Sequence, residues 1–243
     1  KMADELLRMQ KLESVGILAA GIAHDFNNIL MGLTGLLSLL KLSKDITGKN
    51  RERLEKAESL CISASELTSR LITFAKGGKP VFNEVNIEDV LKEAANHIPA
   101  ESGISLDIKA DNVIKYHFLD ERQMKQVVRN IIINSVESMP AGGSIKINSG
   151  EAELAPENSF YLPAGKYLEI VFSDTGKGIK SEDLDKIFDP YFSTKHMGPV
   201  KGQGLGLAIS LSIIKNHNGA IAVSSIPETG TTITVYIPLK KKE

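Results

Sequence analysis

Apolar residues at Leu12, Val15, Ala19, Ile22, Phe26, Ile29, Leu33, Leu36 and Leu40 recur at alternating steps of three and four. That heptad-like stripe marks a long amphipathic helix packed against other helices. A polar break follows at Asp45-Ile46-Thr47-Gly48-Lys49-Asn50, and a second helical stripe runs through Leu54, Ala57, Cys61, Ala64, Leu67, Leu71 and Phe74. Two such helices predict an antiparallel hairpin. One hairpin covers only one side of each stripe. The pattern therefore predicts a symmetric homodimer in which two hairpins close a four-helix bundle. At Gly77-Gly78-Lys79-Pro80 the helical pattern ends, because glycine frees the backbone and proline disfavours helix in the residue before it. The expected organisation is a helical domain at 1–76, a linker at 77–80 and a second domain at 81–243.

Beyond the linker, strand and helix patterns alternate. Val81 to Val85 reads as a strand, and Asn86 caps a helix to about Ala95 with Asp89 in its first turn. Strands follow near Ile104–Ile108 and Ile114–Phe118. Asp120 with Gln123 forms a capping box that opens a helix to about Met139, and Pro140-Ala141-Gly142-Gly143 ends it. Ser144–Ser149 and Tyr167–Ser173 read as paired strands across a long polar loop. Ser181 caps a short helix to about Phe188, a glycine-rich stretch leads into a helix at Leu205–Asn216, and Ala220–Ser225 with Thr231–Pro238 makes a closing hairpin. This order predicts an α/β sandwich, with helices on one face of a mixed sheet.

The chain is 42% apolar and 24% charged, a globular composition. Its net charge of −1 gives no electrostatic case for nucleic acid, and Lys240-Lys241-Lys242 reads as a solvated end. Cys61 stands alone, which excludes an internal disulfide and suggests a small buried residue in a reducing compartment. There is no run of eighteen apolar residues to span a bilayer. The chain opens in helical character at Lys1-Met2-Ala3. The expectation is a cytoplasmic protein preceded by a further upstream part, a sensor that could tether the full-length protein to a membrane.

Several polar residues stand where chemistry could use them. His24 lies about 200° round the helix from the stripe residue Ile22, so it points to solvent. Asp25 follows it, and Asn28 shares its face one turn later. A solvated helix face would look the same. The alternative is a nucleophile, since a neutral imidazole can attack while a carboxylate holds the proton of its other nitrogen. Asn130 and Asn134 share a face of their helix and offer neutral oxygens of the kind Mg²⁺ accepts. Asp174-Thr175-Gly176-Lys177-Gly178-Ile179 follows a strand, a placement that suits a carboxylate accepting an amino proton beside a closely wrapping backbone; it also suits a plain turn. Gly202-Gln203-Gly204-Leu205-Gly206-Leu207 precedes a helix, where glycines admit phosphate to backbone amides. It matches neither the dinucleotide fingerprint nor the P-loop. Between these glycine motifs, Phe188-Asp189-Pro190-Tyr191-Phe192 could anchor a lid, and Lys195 could reach a phosphate.

Together these segments resemble the sensor histidine kinases of two-component systems, from about Leu12 to Leu239. Gly21-Ile22-Ala23-His24-Asp25-Phe26-Asn27-Asn28 is similar to the family's H box, Asn130-Ile131-Ile132-Ile133-Asn134 to the N box, Asp174 to Ile179 to the G1 box, Phe188 to Phe192 to the F box and Gly202 to Leu207 to the G2 box. Five motifs in the right order are far more specific than any one of them. The resemblance implies a dimerisation and histidine-phosphotransfer bundle followed by an ATP-binding domain of the gyrase, chaperone and mismatch-repair superfamily. It implies ATP and Mg²⁺ as cofactors, with Asn134 on the metal and Asn130 beside it. Asp174 would take the adenine amino group, with Gly176 and Gly178 lining the base and Thr231 supporting it. Gly202, Gly204, Leu205 and Gly206 would lie by the phosphates with Lys195. His24 would be the phosphoacceptor, Asp25 its proton partner and Asn28 a residue for dephosphorylating a response regulator receiver domain. Three departures stand out: Ser135 where the family usually has alanine, Glu137 where many members carry a basic residue that touches phosphate, and a short lid from His196 to Lys201. An ATPase of the same superfamily without phosphohistidine, and a non-catalytic dimeric scaffold, are the competing readings.

Overall fold

The computed structural model describes residues 26, 28–43, 47–76, 80–110, 116–193 and 204–239. The stripe before Phe26, the Gly77-Gly78 pair, Ile114 and the lysine tail lie outside the described residues. The chain divides into two compact units, Lys1–Gly78 and Lys79–Glu243.

In the first unit, helix α1 covers 28–41 and helix α2 covers Lys49–Lys76. Lys49 and Asn50, expected in the break, are already helical, because Gly48 at φ 56° turns the chain and accepts from Arg51 N at 3.0 Å. An ion pair joins Lys41 to Glu58 across the two helices. On α2 the predicted stripe residues Leu54, Ala57, Cys61 and Ala64 are half-buried, so Cys61 is less enclosed than expected. On α1 the half-buried line is Leu30, Thr34, Leu37 and Lys41. The predicted stripe, Ile29, Leu33, Leu36 and Leu40, lies one position round and stays exposed, Leu36 at 60%. Leucines stand on both lines, Leu30 and Leu37 on one and Leu33, Leu36 and Leu40 on the other, so periodicity alone could not say which one the second helix covers.

The second unit carries a five-stranded sheet in the order β2-β4-β5-β7-β6. Its strands are β2 Ile104–Ala110, β4 Gly143–Leu154, β5 Gly165–Asp174, β6 Ala220–Ile226 and β7 Gly230–Pro238. β2 runs parallel to β4, and every other neighbour is antiparallel, so the sheet is mixed as expected. A separate two-stranded sheet pairs β1 Asn83–Asn86 with β3 Tyr116–Leu119. Strand registers put Ile145, Ile147, Leu168, Ile170, Phe172, Ile233, Val235 and Ile237 on one face, and all are buried. Against that face lie α4 Glu121–Ser138 and α6 Gly206–Asn216, which bury Met124, Val127, Val128, Ile131 and Ile132 from one helix and Ala208, Ile209, Ile213 and Ile214 from the other. Burial of these side chains, at about 1.5–3 kcal/mol for each one larger than alanine, is the main force holding the two layers together.

Element ends depart from the sequence expectation for local reasons. β1 starts at Asn83 rather than Val81, because Val81 N donates to Asp120 Oδ2 at 2.8 Å and Phe82 stacks on Phe118 at 5.8 Å. Helix α3, Ile87–Lys92, is capped by Asn86 as expected but tightens into a 3₁₀ turn at Glu93–His97. Asp120 caps α4 by accepting from Gln123 N at 3.0 Å. The capping box is not reciprocal, since Asp120 N donates instead to His217 Nε2 at 3.1 Å. β4 and β5 run longer than expected and leave only 155–164 as the loop between them. Asn158 ties that loop, donating to Ala155 O and Leu162 O while accepting from Phe160 N and Leu162 N. Helix α5 is only Ser181–Leu184, and Lys180 rather than Ser181 holds the cap position, with no side-chain bond. Beyond Leu184 the chain continues as turns, Lys186 N to Asp183 O and Asp189 N to Lys186 O, both at 2.8 Å.

Candidate functional site

Asp174 ends β5 directly opposite Thr231 of β7. Its Oδ1 accepts from Gly176 N at 2.9 Å and from Thr231 N at 3.3 Å. Its Oδ2 accepts from Ser135 Oγ of α4 at 2.8 Å. Three elements thus aim one carboxylate. Such charge-assisted bonds are stronger than neutral ones.

The backbone around it leaves no room for side chains. Gly176 lies so close to Ser138 Oγ that a Cβ would overlap it. Gly178, at φ +67°, has the Ile226 carbonyl where a Cβ would stand. Two further bonds fix this loop from β6 and its turn: Ile179 N donates to Ser225 Oγ, and Glu228 N to Lys177 O, both at 2.8 Å. Ser225 Oγ also donates to Gly230 O at 2.8 Å and lies 2.9 Å from Thr231 Oγ1. With its one proton on Gly230 O, Ser225 must accept from the Thr231 hydroxyl. Thr231 is buried, so its contribution passes through Asp174 and Ser225.

Helix α4 forms the shared wall. Asn130, Asn134 and Ser138 follow one face at successive turns, with Ser135 beside them. Asn130 Nδ2 donates to Gly206 O at 3.0 Å and to Ser210 Oγ at 3.3 Å, which joins α4 to the start of α6. Its Oδ1 is thereby left for other partners. Asn134 is half-buried and makes no side-chain hydrogen bond among the described residues. The described residues contain no cluster of three or more His, Cys, Asp or Glu fit to hold a metal. A magnesium ion here would take amide oxygen from the Asn pair and most of its ligands from phosphate and water, which is the donor set it favours. The residues therefore fit the ion.

At the start of α6, Gly204 sits at φ +65°, where a Cβ would come within 2.5 Å of Phe192 O. Gly204 O accepts from Tyr191 N at 3.0 Å, and Tyr191 itself has φ 66°. That bond fastens the Phe188–Phe192 segment to the second glycine motif. A Cβ on Gly206 would meet Asn130 only at ordinary contact distance, so packing alone does not demand glycine there. Leu205 is buried and packs in the core. His24, Asp25, Lys195 and Gly202 lie outside the described residues, and Asn28 is exposed on α1.

The structure thus gathers Asp174, Gly176, Gly178 and Thr231 at one end of α4, and Asn130, Gly204 and Gly206 along it. Sequence reasoning missed the functional weight of Ser135, Ser138 and Ser225. A small polar residue inside an apolar helix stripe was the available signal for Ser135. Ser225 depends on strand register and left none. A cavity of about 470 Å³, lined by Tyr116, Glu151, Lys166 and Ile237 among others, touches none of the candidate residues.

Residues 119–241 match the family described as histidine kinase-, DNA gyrase B-, and HSP90-like ATPase. Over 98% of its length the chain is 31% identical to the sensor kinase CckA of Brucella abortus, covering 25% of that protein. Over 99% it is 32% identical to sporulation kinase A of Bacillus subtilis, covering 37%. The chain spans half or less of the curated relatives it matches. Among solved structures, full-length ShkA in complex with AMPPNP superposes over 93% of the chain with a TM-score of 0.73 at 20% identity, a likeness of fold. The catalytic domain of histidine kinase ThkA covers 65% of the chain with a TM-score of 0.51 at 26% identity.

Proposed function

Because the chain belongs to the histidine kinase-, DNA gyrase B- and HSP90-like ATPase family, we propose that it is the catalytic core of a sensor histidine kinase. It phosphorylates its own His24 from ATP and passes the phosphoryl group to an aspartate on a response regulator receiver domain. The observation that carries this reading is the Asp174 cluster, a carboxylate fixed by Ser135, Gly176 and Thr231 beside the Asn130 and Asn134 face of α4. A carboxylate held this way reads an amino donor, which is what adenine presents. Gly176 and Gly178 let the loop backbone pack against Ser138 and Ile226, which holds it close beside the carboxylate where the base would lie. Gly204 and Gly206 open the start of α6, whose free amides and dipole favour phosphate. Lys195 and Gly202 complete the phosphate side of the site, to which Leu205, its side chain buried in the core, contributes through its backbone alone. Bound Mg²⁺ would offset triphosphate charge, with Asn134 supplying an oxygen.

His24 attacks the γ-phosphorus in line through one ring nitrogen. A nitrogen–phosphorus bond forms, the bond to the ADP oxygen breaks, and Asp25 takes or orients the proton on the other ring nitrogen. Positioning does most of the work, because phosphoryl transfer needs little covalent chemistry from the protein. Asn28, exposed one turn beyond His24, serves a phosphatase step by orienting water on the regulator's phosphoaspartate. The domain plan is a phosphotransfer hairpin at 1–76 that pairs with a second copy in a four-helix bundle, a linker at 77–80, and an ATP-binding domain at 81–243. The core works in the cytoplasm, under an upstream sensor.

Asp174→Asn tests the reading at the base. It turns an acceptor into a mixed group, and ATP affinity measured by calorimetry should fall roughly ten- to a hundredfold, the scale of a lost hydrogen bond to a charged group. Unchanged affinity would contradict the assignment. Asn28→Ala should leave autophosphorylation intact while removing phosphatase activity. Equal loss of both would break that division of labour.

A further inference from the structure

The buried Ser135 hydroxyl does something unusual for a serine inside a helix. Such hydroxyls commonly bond back to the carbonyl four residues earlier. Ser135 instead reaches across from α4 to Asp174 Oδ2 on β5, at 2.8 Å. Its own carbonyl is held by Ser138 Oγ at 2.8 Å, which steadies the end of α4 under the bond.

A carboxylate has roughly four acceptor positions, two on each oxygen. Gly176 N and Thr231 N occupy both positions on Oδ1. Ser135 occupies one on Oδ2, so among the described residues a single acceptor position on Oδ2 stays open. We propose that Ser135 is a positioning residue for base selection. By filling its half of Oδ2 it leaves Asp174 able to accept one N–H in one direction, which suits the exocyclic amine of adenine and excludes a base that offers a carbonyl there. Without the hydroxyl, Oδ2 has two open positions. Water then enters, the carboxylate can tilt about its remaining bonds to Oδ1, and the direction that selects the amine is lost. Ser135 acts through Asp174 and need not touch the nucleotide.

The proposal rests on the reading of Asp174 as the base-binding carboxylate, and one experiment separates the two. Equilibrium affinities of the whole chain and of Ser135→Ala are measured for ADP and for purine riboside diphosphate, which lacks the exocyclic amine; neither ligand turns over. The parent chain should prefer ADP. In Ser135→Ala, ADP binding should weaken by roughly three- to tenfold, as expected for losing one supporting hydrogen bond, while purine riboside diphosphate binds as before. The preference then shrinks. If Ser135→Ala weakens both ligands equally, or neither, the hydroxyl has no part in base selection and the proposal is overturned, with Asp174 keeping its role. If the parent chain shows no preference for ADP, the Asp174 reading itself fails and takes the proposal with it. A thermal unfolding midpoint for each protein confirms that folded chains are being compared.

Discussion

Asp174 is useful because its neighbours are small. Gly178 adopts φ +67° with the Ile226 carbonyl where a Cβ would sit, and it lies in the loop that Ser225 and Glu228 pin from the other side. Gly178→Ala therefore meets both backbone strain and a steric overlap that the pinned loop cannot easily relieve. The expected cost is about 1–3 kcal/mol of stability together with loss of nucleotide binding. Chemical denaturation and calorimetry read the two effects separately. Unchanged stability and affinity would mean the loop adjusts freely. At this scale the sequence was informative where chemistry is local: the carboxylate after a strand, its spaced glycines and the Asn pair could all be picked out. Ser135 and Ser225 were harder. Their partners lie 39 and 46 residues away, in Asp174 and Ile179, and only the packing of α4 on the sheet and the β6–β7 register brings them there.

Between elements, the contact most revealing of the fold is that of Asp120 with His217. Asp120 N donates to His217 Nε2, and His217 Nδ1 lies 2.9 Å from Ile213 O. An amide can only donate and a carbonyl can only accept, so the buried ring is neutral, with its proton on Nδ1. The bond ties the start of α4 to the end of α6, and Phe82 packs edge-on against the same ring at 5.3 Å. His217→Ala should destabilise the ATP-binding unit by about 3 kcal/mol, from lost packing and an unpaired buried amide. A denaturation midpoint within a few tenths of the parent's would contradict that weight. The sequence showed Asp120 as a helix cap but not its partner 97 residues on, which is why the expected capping box closes on a different helix. A second inter-element contact responds to pH. Phe160 of the β4–β5 loop packs on Tyr236 at 4.9 Å, and burial, together with the hydrogen bond that the Tyr236 hydroxyl donates to the Glu169 carboxylate, pushes that hydroxyl up to about 12. The folded protein then holds a proton that the unfolded chain releases near its ordinary value of about 10. Stability should fall as pH rises through that interval. Tyr236→Phe should lessen the fall, while Tyr167, also raised by burial, keeps a residue of it. Urea midpoints across alkaline pH read the difference, and identical slopes would contradict the assignment.

For the whole molecule, the exposed apolar line of α1 matters most. Ile29, Leu33, Leu36 and Leu40 are each at least 45% exposed on a helix whose adjacent line is half-buried. A surface of this kind is costly in water and asks for a partner. Leu36→Glu should turn a dimer into monomers in sedimentation velocity while leaving the thermal unfolding of the ATP-binding unit unchanged; a parent chain that is itself monomeric would contradict the bundle. Phosphorylation of His24 is the step that would make the whole molecule a kinase. The direct measurement is to incubate the chain and His24→Ala with Mg²⁺ and γ-labelled ATP, then test the label in acid and alkali. Acid-labile, alkali-stable label on the parent and none on His24→Ala is the predicted result. Label that persists in His24→Ala, or its absence from a parent chain that binds and hydrolyses ATP, would contradict the account and favour an ATPase without a phosphohistidine.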